Sequence, residues 1–452
     1  MTLDTQTQDV AKTTAPLAVP ENDQTFNWKN CWYPITFLQD LPSSCPYSFS
    51  LYDEPFVLFR NQEGKLVCLI DRCPHRAAKL SDGQLIDGKI ECLYHGWQFG
   101  SEGECLHIPQ LPTDAKIPTN ACVKSFKVVE RQGIVWMWRG EPESADDDRI
   151  PAIAELDQPG FLVSSDYMSD RPYDQTYFIE NVIDPAHFPI SHHGSLSNRQ
   201  NAQPLEMEVL NTSVEGIRGR VRETRSASEN WLDLDFVAPN LVAYRFDLPM
   251  PGLMGGAAIY SLPLGKGRCR VLLRNYQNFS TRKIKLKPRW LEHLFRNRVS
   301  EEDMPFIRGQ QAHIERLGKN PNSLYLPLKT SDTLLIEYRK WLDKYGSSLP
   351  FYQGYTTSKP GVLNSEGTPP SVLVDRLRRH TQLCSSCNRA YQVTNKLKQT
   401  LVGVAIGMAA LAIVTDAFWG RIGALSASVS AVALAFIAEK VKTRFERSYE
   451  RH

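Results

Sequence analysis

Charge of one sign is missing from this sequence: 52 Lys and Arg stand against 50 Asp and Glu, a formal net charge of +2. Without a basic excess there is no general electrostatic reason to expect a nucleic-acid partner. Regular cysteine spacing is missing too. Ten cysteines are scattered over 452 residues, several beside histidines, which argues against a secreted disulfide framework and for metal ligands and reduced thiols in a reducing compartment. The N-terminus has neither the apolar core of a secretory signal nor, with Asp4, Asp9, Glu21 and Asp23, the acid-poor and Arg-rich character of a transit peptide. Residues 1–26 are therefore expected to form a disordered leader. No internal repeat is present, and the length allows roughly two or three domains.

Short alternating runs with turn residues fill residues 27–143. In "PFVLFRNQEGKLVCLID" the segment "NQEG" separates two strand-like stretches, a hairpin signature, so this part is expected to be a small β domain. Over 144–345 the runs "GIRGRVRETR", "LVAYRFDLPM", "GGAAIYSLPL" and "RVLLRNYQNFS" read as strands. "PRWLEHLFRNRVSEEDMPFIRGQQAHIERL" has helical spacing of Leu291, Leu294, Phe295 and Val299, with an interruption expected at Pro305. Strands followed by a long helix predict an α+β domain. Residues 346–371 are rich in Gly, Pro and Ser and read as a linker, extended to 398 by a stretch holding the C-x-x-C pair Cys384 and Cys387.

Long apolar runs occur only at the C-terminus, over 399–452. "LVGVAIGMAALAIVT" and "IGALSASVSAVALAFIA" are separated by "DAFWGR", and each with its flanks approaches the ~17–25 residues of a spanning helix. Lys396 and Lys398 precede the pair and Lys440, Lys442, Arg444, Arg447 and Arg451 follow it, which places both ends on the cytoplasmic side of a transmembrane hairpin. Trp419 at the tip suits a membrane interface. A pair of buried or interfacial helices is the alternative.

Two constellations carry chemistry. Cys73 and His75 form a C-x-H; sixteen residues later Cys92 and His95 form a C-x-x-H. A structural zinc site usually draws two cysteines from one knuckle and two histidines from one helix, whereas here each loop offers one thiolate and one imidazole. That distribution suits a Rieske [2Fe-2S] cluster, in which two cysteines hold one iron and two histidines the other. Gly96 would let the second loop approach closely, and Pro74 stiffens the first. The second constellation is "FIENVIDPAHFPISHHG", with Glu180, Asp184, His187, His192 and, as a runner-up ligand, His193. Two histidines and one carboxylate leave positions open on a mononuclear non-haem Fe(II). Residues five apart on an unbroken helix diverge by about 140°, so a break near Pro189 is expected.

"CPHR" followed by "CLYHGWQF" resembles the loop pair of the Rieske non-haem iron oxygenases. The resemblance narrows to the pheophorbide a oxygenase branch, with chlorophyllide a oxygenase and the translocon-associated Rieske protein, through "WYPI", "IENVIDPAHFPISHHG", "SDTLLIEYRKWLDKYG", "CSSC" and the apolar C-terminus. It implies a β-rich Rieske domain, a helix-grip catalytic domain and a membrane hairpin. It further implies that Asp184 links the mononuclear site to the Rieske histidine of a neighbouring subunit in a homotrimer. The third iron ligand would be Asp303 in "RVSEEDMPFIRGQQ", with Glu301 and Glu302 as alternatives. Reduced ferredoxin would supply electrons, O2 the oxidant, and a chlorophyll-derived tetrapyrrole the substrate, at a thylakoid or plasma membrane of a cyanobacterium-like source; Cys384 and Cys387 would be a thioredoxin target, the alternatives being inert thiols or a zinc half-site with His380, for which the sequence offers no fourth ligand. The rival readings are a redox-sensing or electron-transfer subunit of a membrane complex, and an oxygenase of an aromatic, sterol or amine.

Overall fold

The computed structural model describes residues 25–225, 230–248, 250–279, 287–318, 321–351 and 375–449. Nearly all of the leader, and residues 352–374 of the expected linker, lie outside the described residues.

The N-terminal domain is built from three small antiparallel sheets. Strand Glu54–Arg60 turns at the "NQEG" segment into strand Leu66–Ile70, and Asn61 Oδ1 accepts the backbone N–H groups of Glu63 and Lys65 to close that turn. Phe56, Val57, Leu58 and Phe59 on the first strand and Val67, Cys68, Leu69 and Ile70 on the second are all buried in one cluster, so both faces of the hairpin are covered. The same cluster takes in Leu262 and Leu264 from the following domain, so the two domains share a core.

The catalytic-size domain is a seven-stranded sheet, antiparallel throughout, running in the order Leu162–Arg171, Arg268–Gln277, Met254–Gly265, Leu241–Asp247, Leu232–Val237, Gly216–Glu223, Leu205–Ser213. The four strands anticipated from sequence all belong to it. Its first and last strands lie at opposite edges, so the chain between them must cross the sheet, and that crossing carries helix Gln175–Val182 and both candidate histidines. A buried and a half-buried ion pair tie the first edge strand to its neighbour: Arg274 grips Asp166 through two nitrogens at 2.8 Å each inside the core, and Arg270 grips the half-buried Asp170 at 2.6 and 3.2 Å. Removing one partner of such a buried pair typically costs about 3–5 kcal/mol.

The expected long helix is two helices, Arg289–Glu302 and Met304–Leu317, meeting at Asp303. Pro305 sits in the first turn of the second helix, where it cannot supply the N–H that a continuous helix would need. A further helix, Thr333–Tyr345, covers the sheet with Leu334, Tyr338, Trp341 and Leu342 buried against Phe236 and Leu234.

The C-terminal pair is Ser385–Val414 and Phe418–Glu446, both long and apolar enough to cross a membrane. The first begins inside the segment read as linker. Small residues face inward: Ala405 and Ala412 on one helix meet Ala424, Ala431 and Ala438 on the other, and Ser428 donates to the Ala405 carbonyl at 2.8 Å. Ile406, Ile413, Val414, Val429 and Phe436 point outward. Small residues inside and large apolar residues outside reverse the pattern of a soluble helix pair and match helix packing in lipid.

Candidate metal centres and substrate cavity

Cys73 and Cys92 are 2% exposed, whereas His75 is exposed and His95 half-buried beside it, with ring centroids 4.5 Å apart. The two loops thus place both sulfurs inward and both imidazoles at the tip. Each loop is closed by its own backbone: Cys73 N–H donates to Ala78 and Gly96 N–H to Cys92, both at 2.8 Å. Asp71 fastens the first loop by accepting from Ser81 N and Oγ at 2.7 and 2.5 Å. Gly96 has φ +75°, and a Cβ there would lie 2.8 Å from Pro109 Cγ, so the close approach expected of this glycine is toward a neighbouring loop. The His75 ring stacks on Trp97 at 4.8 Å. Among the described residues these four do not close as a set to within 4.8 Å of one another, as mononuclear sets do here. Inner sulfurs, outer nitrogens and that spread fit a binuclear cluster.

The second centre does close. His187, His192 and Asp303 bring one ligand atom each within 4.8 Å of the others: Asp303 Oδ2 lies 3.6 Å from His187 Nε2 and 3.1 Å from His192 Nε2. His187 ends a 3-10 turn that starts at Pro185, and His192 ends the one-turn helix Phe188–Ser191, with Pro189 in its first turn. The break turns both rings to one side.

Carboxylates surround the two imidazoles. Burial alone would lower the His187 pKa, but Asp184 and Asp303 outweigh it and push it up to about 9. Burial would raise Asp303, yet His187 and His192 hold it well below the usual carboxylate range. Asp184 Oδ2 is 3.6 Å from His187 Nδ1, beyond hydrogen-bond length, and its other oxygen caps the turn through Ala186 N at 2.8 Å. Two imidazoles and a carboxylate in a half-dry pocket with a negative surplus fit a divalent cation.

Glu302 was weighed as an alternative ligand. Its Oε2 instead lies 3.0 Å from His192 Nδ1 and accepts from Ser195 Oγ at 2.6 Å, so it fixes the ring of a candidate ligand whose other nitrogen faces Asp303. Glu301 points away and is gripped by Arg376 and Arg379. Glu180 pairs with Arg339 at 2.5 Å, and His193 is exposed, accepting from Arg199 N at 3.1 Å.

The three residues sit in the wall of a cavity of about 640 Å³, near the middle of the range for small-molecule sites. Val221, Leu232, Ala257, Ile259 and Leu273 from the sheet give it an apolar lining, with Asn181, Asn275 and Arg296 among its polar groups. No residue of the cysteine and histidine loops lines it. Cys384 and Cys387, expected as a reversible disulfide, are free thiols with no exposed surface, out of reach of a protein reductant in this arrangement.

Comparison with known proteins places these features. A family model described as Rieske [2Fe-2S] domain matches residues 31–127, and one described as pheophorbide a oxygenase matches 236–321. Protein TIC 55 of Pisum sativum is 36% identical over 440 residues, covering 90% of this chain and 79% of that one. Pheophorbide a oxygenase of Arabidopsis thaliana is 30% identical, covering 94% and 84%. Dicamba monooxygenase shares the fold at TM-score 0.57 and 24% identity, over 70% of this chain and 97% of that one. Both relatives are named chloroplastic, and neither gives support to a cyanobacterial source or a plasma-membrane location. The chain belongs to the Rieske non-haem iron oxygenases, in the branch that holds pheophorbide a oxygenase and TIC 55, and its cofactors are a Rieske [2Fe-2S] cluster and a mononuclear non-haem iron.

Proposed function

We propose that this chain is a membrane-anchored oxygenase that inserts oxygen into a large hydrophobic substrate, a chlorophyll-derived tetrapyrrole, using electrons from reduced ferredoxin. The carrying observation is the placement of His187, His192 and Asp303 in the wall of a mainly apolar cavity of about 640 Å³. A relay subunit would need neither the cavity nor three convergent ligands. Bound at Cys73, His75, Cys92 and His95, the cluster supplies single electrons, and bound at His187, His192 and Asp303 the iron supplies oxygen activation.

The chain's own part is orientation and exclusion of water. Glu302 and Ser195 hold the His192 ring, the Pro185 and Pro189 breaks aim both imidazoles, and the aliphatic wall keeps solvent from the substrate edge that faces the metal. Cluster loops and cavity are lined by separate residues, which supports delivery of electrons from one subunit to the next in a homotrimer, through Asp184. Leu93 and Tyr94 beside the cluster histidines, 58% and 59% exposed, and Ile190 and Leu196 beside His187 and His192, 40% and 47% exposed, offer apolar surfaces for such a contact. The outward apolar faces of the C-terminal helices support anchoring in a chloroplast-type membrane.

Iron and acid-labile sulfide analysis tests the two-centre reading. About three irons to two sulfides are expected per chain, falling to about two irons with the sulfide unchanged in Asp303→Asn. A wild-type ratio of two to two would leave the relay reading instead.

A further inference from the structure

A second convergent set lies outside the oxygenase machinery. His293, His380, Cys384 and Cys387 are each 0% exposed, and one ligand atom from each falls within 4.8 Å of the others. The cysteine pair and His380 are neighbours in sequence, but His293 comes from the first half of helix Arg289–Glu302. From the geometry we infer that these residues form a closed, structural Cys2His2 zinc site that clamps the root of the C-terminal hairpin to the catalytic domain.

The distances have the size that zinc requires. Bonds of about 2.3 Å to sulfur and about 2.0–2.1 Å to nitrogen, at tetrahedral angles, set sulfur–nitrogen edges of about 3.5 Å. His293 Nδ1 lies 3.4 Å from Cys384 Sγ and 3.5 Å from Cys387 Sγ, and His380 Nε2 lies 3.2 Å from Cys387 Sγ.

Each imidazole is also oriented by its far nitrogen. His293 Nε2 meets the Asp166 carbonyl at 2.7 Å, and His380 Nδ1 meets the Met168 carbonyl at 2.6 Å. A carbonyl can only accept, so both far nitrogens carry the proton and both near nitrogens offer a lone pair to the centre, the outer arrangement typical of metal-ligating histidines. The two carbonyls belong to strand Leu162–Arg171, which the buried Asp166–Arg274 pair holds in place. Tyr167, between them, stacks on His380 at 4.8 Å and meets the His293 ring edge-on.

Charge favours a soft dication. Two thiolates cancel the charge of zinc, and two neutral imidazoles complete a tetrahedron whose net charge is zero, which lowers the cost of complete burial. Oxygen-preferring cations would find no carboxylate in the set, and no position is left open for catalysis. His293 lies ten residues before Asp303 on one helix, about 15 Å along its axis, so the clamp fixes the element that presents the third iron ligand. It also holds Ser385, whose N–H donates to Asp40 Oδ1 of the N-terminal domain at 2.8 Å.

Metal analysis of the full-length chain in detergent, expressed with iron and zinc supplied, tests this. About one zinc per chain that survives dialysis against a chelator is expected, retained in His187→Ala and lost in Cys384→Ser/Cys387→Ser with the cluster sulfide unchanged. Cobalt(II) in place of zinc should give thiolate charge-transfer and intense tetrahedral bands. Because the double cysteine variant could misfold, the wild-type cobalt spectrum and the His187→Ala zinc content decide the matter without it. Zinc lost with His187→Ala would place the ion in the iron site and overturn the proposal. So would a zinc-free chain, whether its Cys384 and Cys387 titrate as free thiols on unfolding or only after reduction, the latter being the outcome of a disulfide switch.

Discussion

Three consecutive acidic residues divide three tasks between them. Glu301 neutralises Arg376 and Arg379, Glu302 orients His192, and Asp303 faces both imidazoles. Glu302→Gln keeps the size of the side chain but removes the carboxylate that stabilises the ring N–H, and is expected to weaken iron at the mononuclear position roughly 10–100-fold. Iron titration of the apo-chain followed by the Rieske signal as an internal standard measures this; an unchanged affinity would assign Glu302 to packing alone. The candidate cluster set and the candidate pair His187 and His192 could be picked out in the sequence, because each set falls in short motifs whose spacing suggests the chemistry. The choice among residues 301–303 was not legible from spacing, since it depends on where the helix breaks. His293 was illegible altogether, a lone histidine far along the chain from the cysteines it meets.

Breaks between elements do as much as the elements themselves. Pro185 and Pro189 divide the histidine segment into short turns, and Pro305 separates the two late helices at Asp303. Both interruptions were readable in advance from proline and spacing, as were four of the seven sheet strands from their β-branched and aromatic runs; Leu162–Arg171, Leu205–Ser213 and Leu232–Val237 were not. What could not be read was the order of the strands, which places the histidine crossing beneath the sheet; register and neighbours are properties of the folded sheet rather than of any one strand. Pro305→Ala restores the missing donor and favours a continuous helix through Asp303. Reduced occupancy of the mononuclear iron with the cluster intact is expected, read from the iron-to-sulfide ratio falling below that of wild type, whereas a ratio equal to wild type would show that tertiary packing alone makes the bend.

At the scale of the whole molecule the hairpin, the shared core and the separate lining of loops and cavity support the proposed oxygenase, held at a membrane and completed by neighbouring subunits. If electrons cross between subunits, a chain without a cluster (Cys92→Ser) co-assembled with a chain without the mononuclear iron (Asp303→Asn) should recover activity that neither has alone, up to about a quarter of wild type if assembly is random; no recovery in mixed assemblies would contradict transfer through Asp184. The central claim, that metal held by His187, His192 and Asp303 oxidises a pigment seated in the cavity, is tested most directly with isotopic oxygen. Full-length chain, reduced ferredoxin, 18O2 and a chlorophyll-derived tetrapyrrole are combined, and the recovered pigment is analysed by mass spectrometry. Label in the pigment with wild type and none with Asp303→Asn is the expected result. Reoxidation of the cluster with the pigment returned unlabelled by the wild-type chain would contradict it.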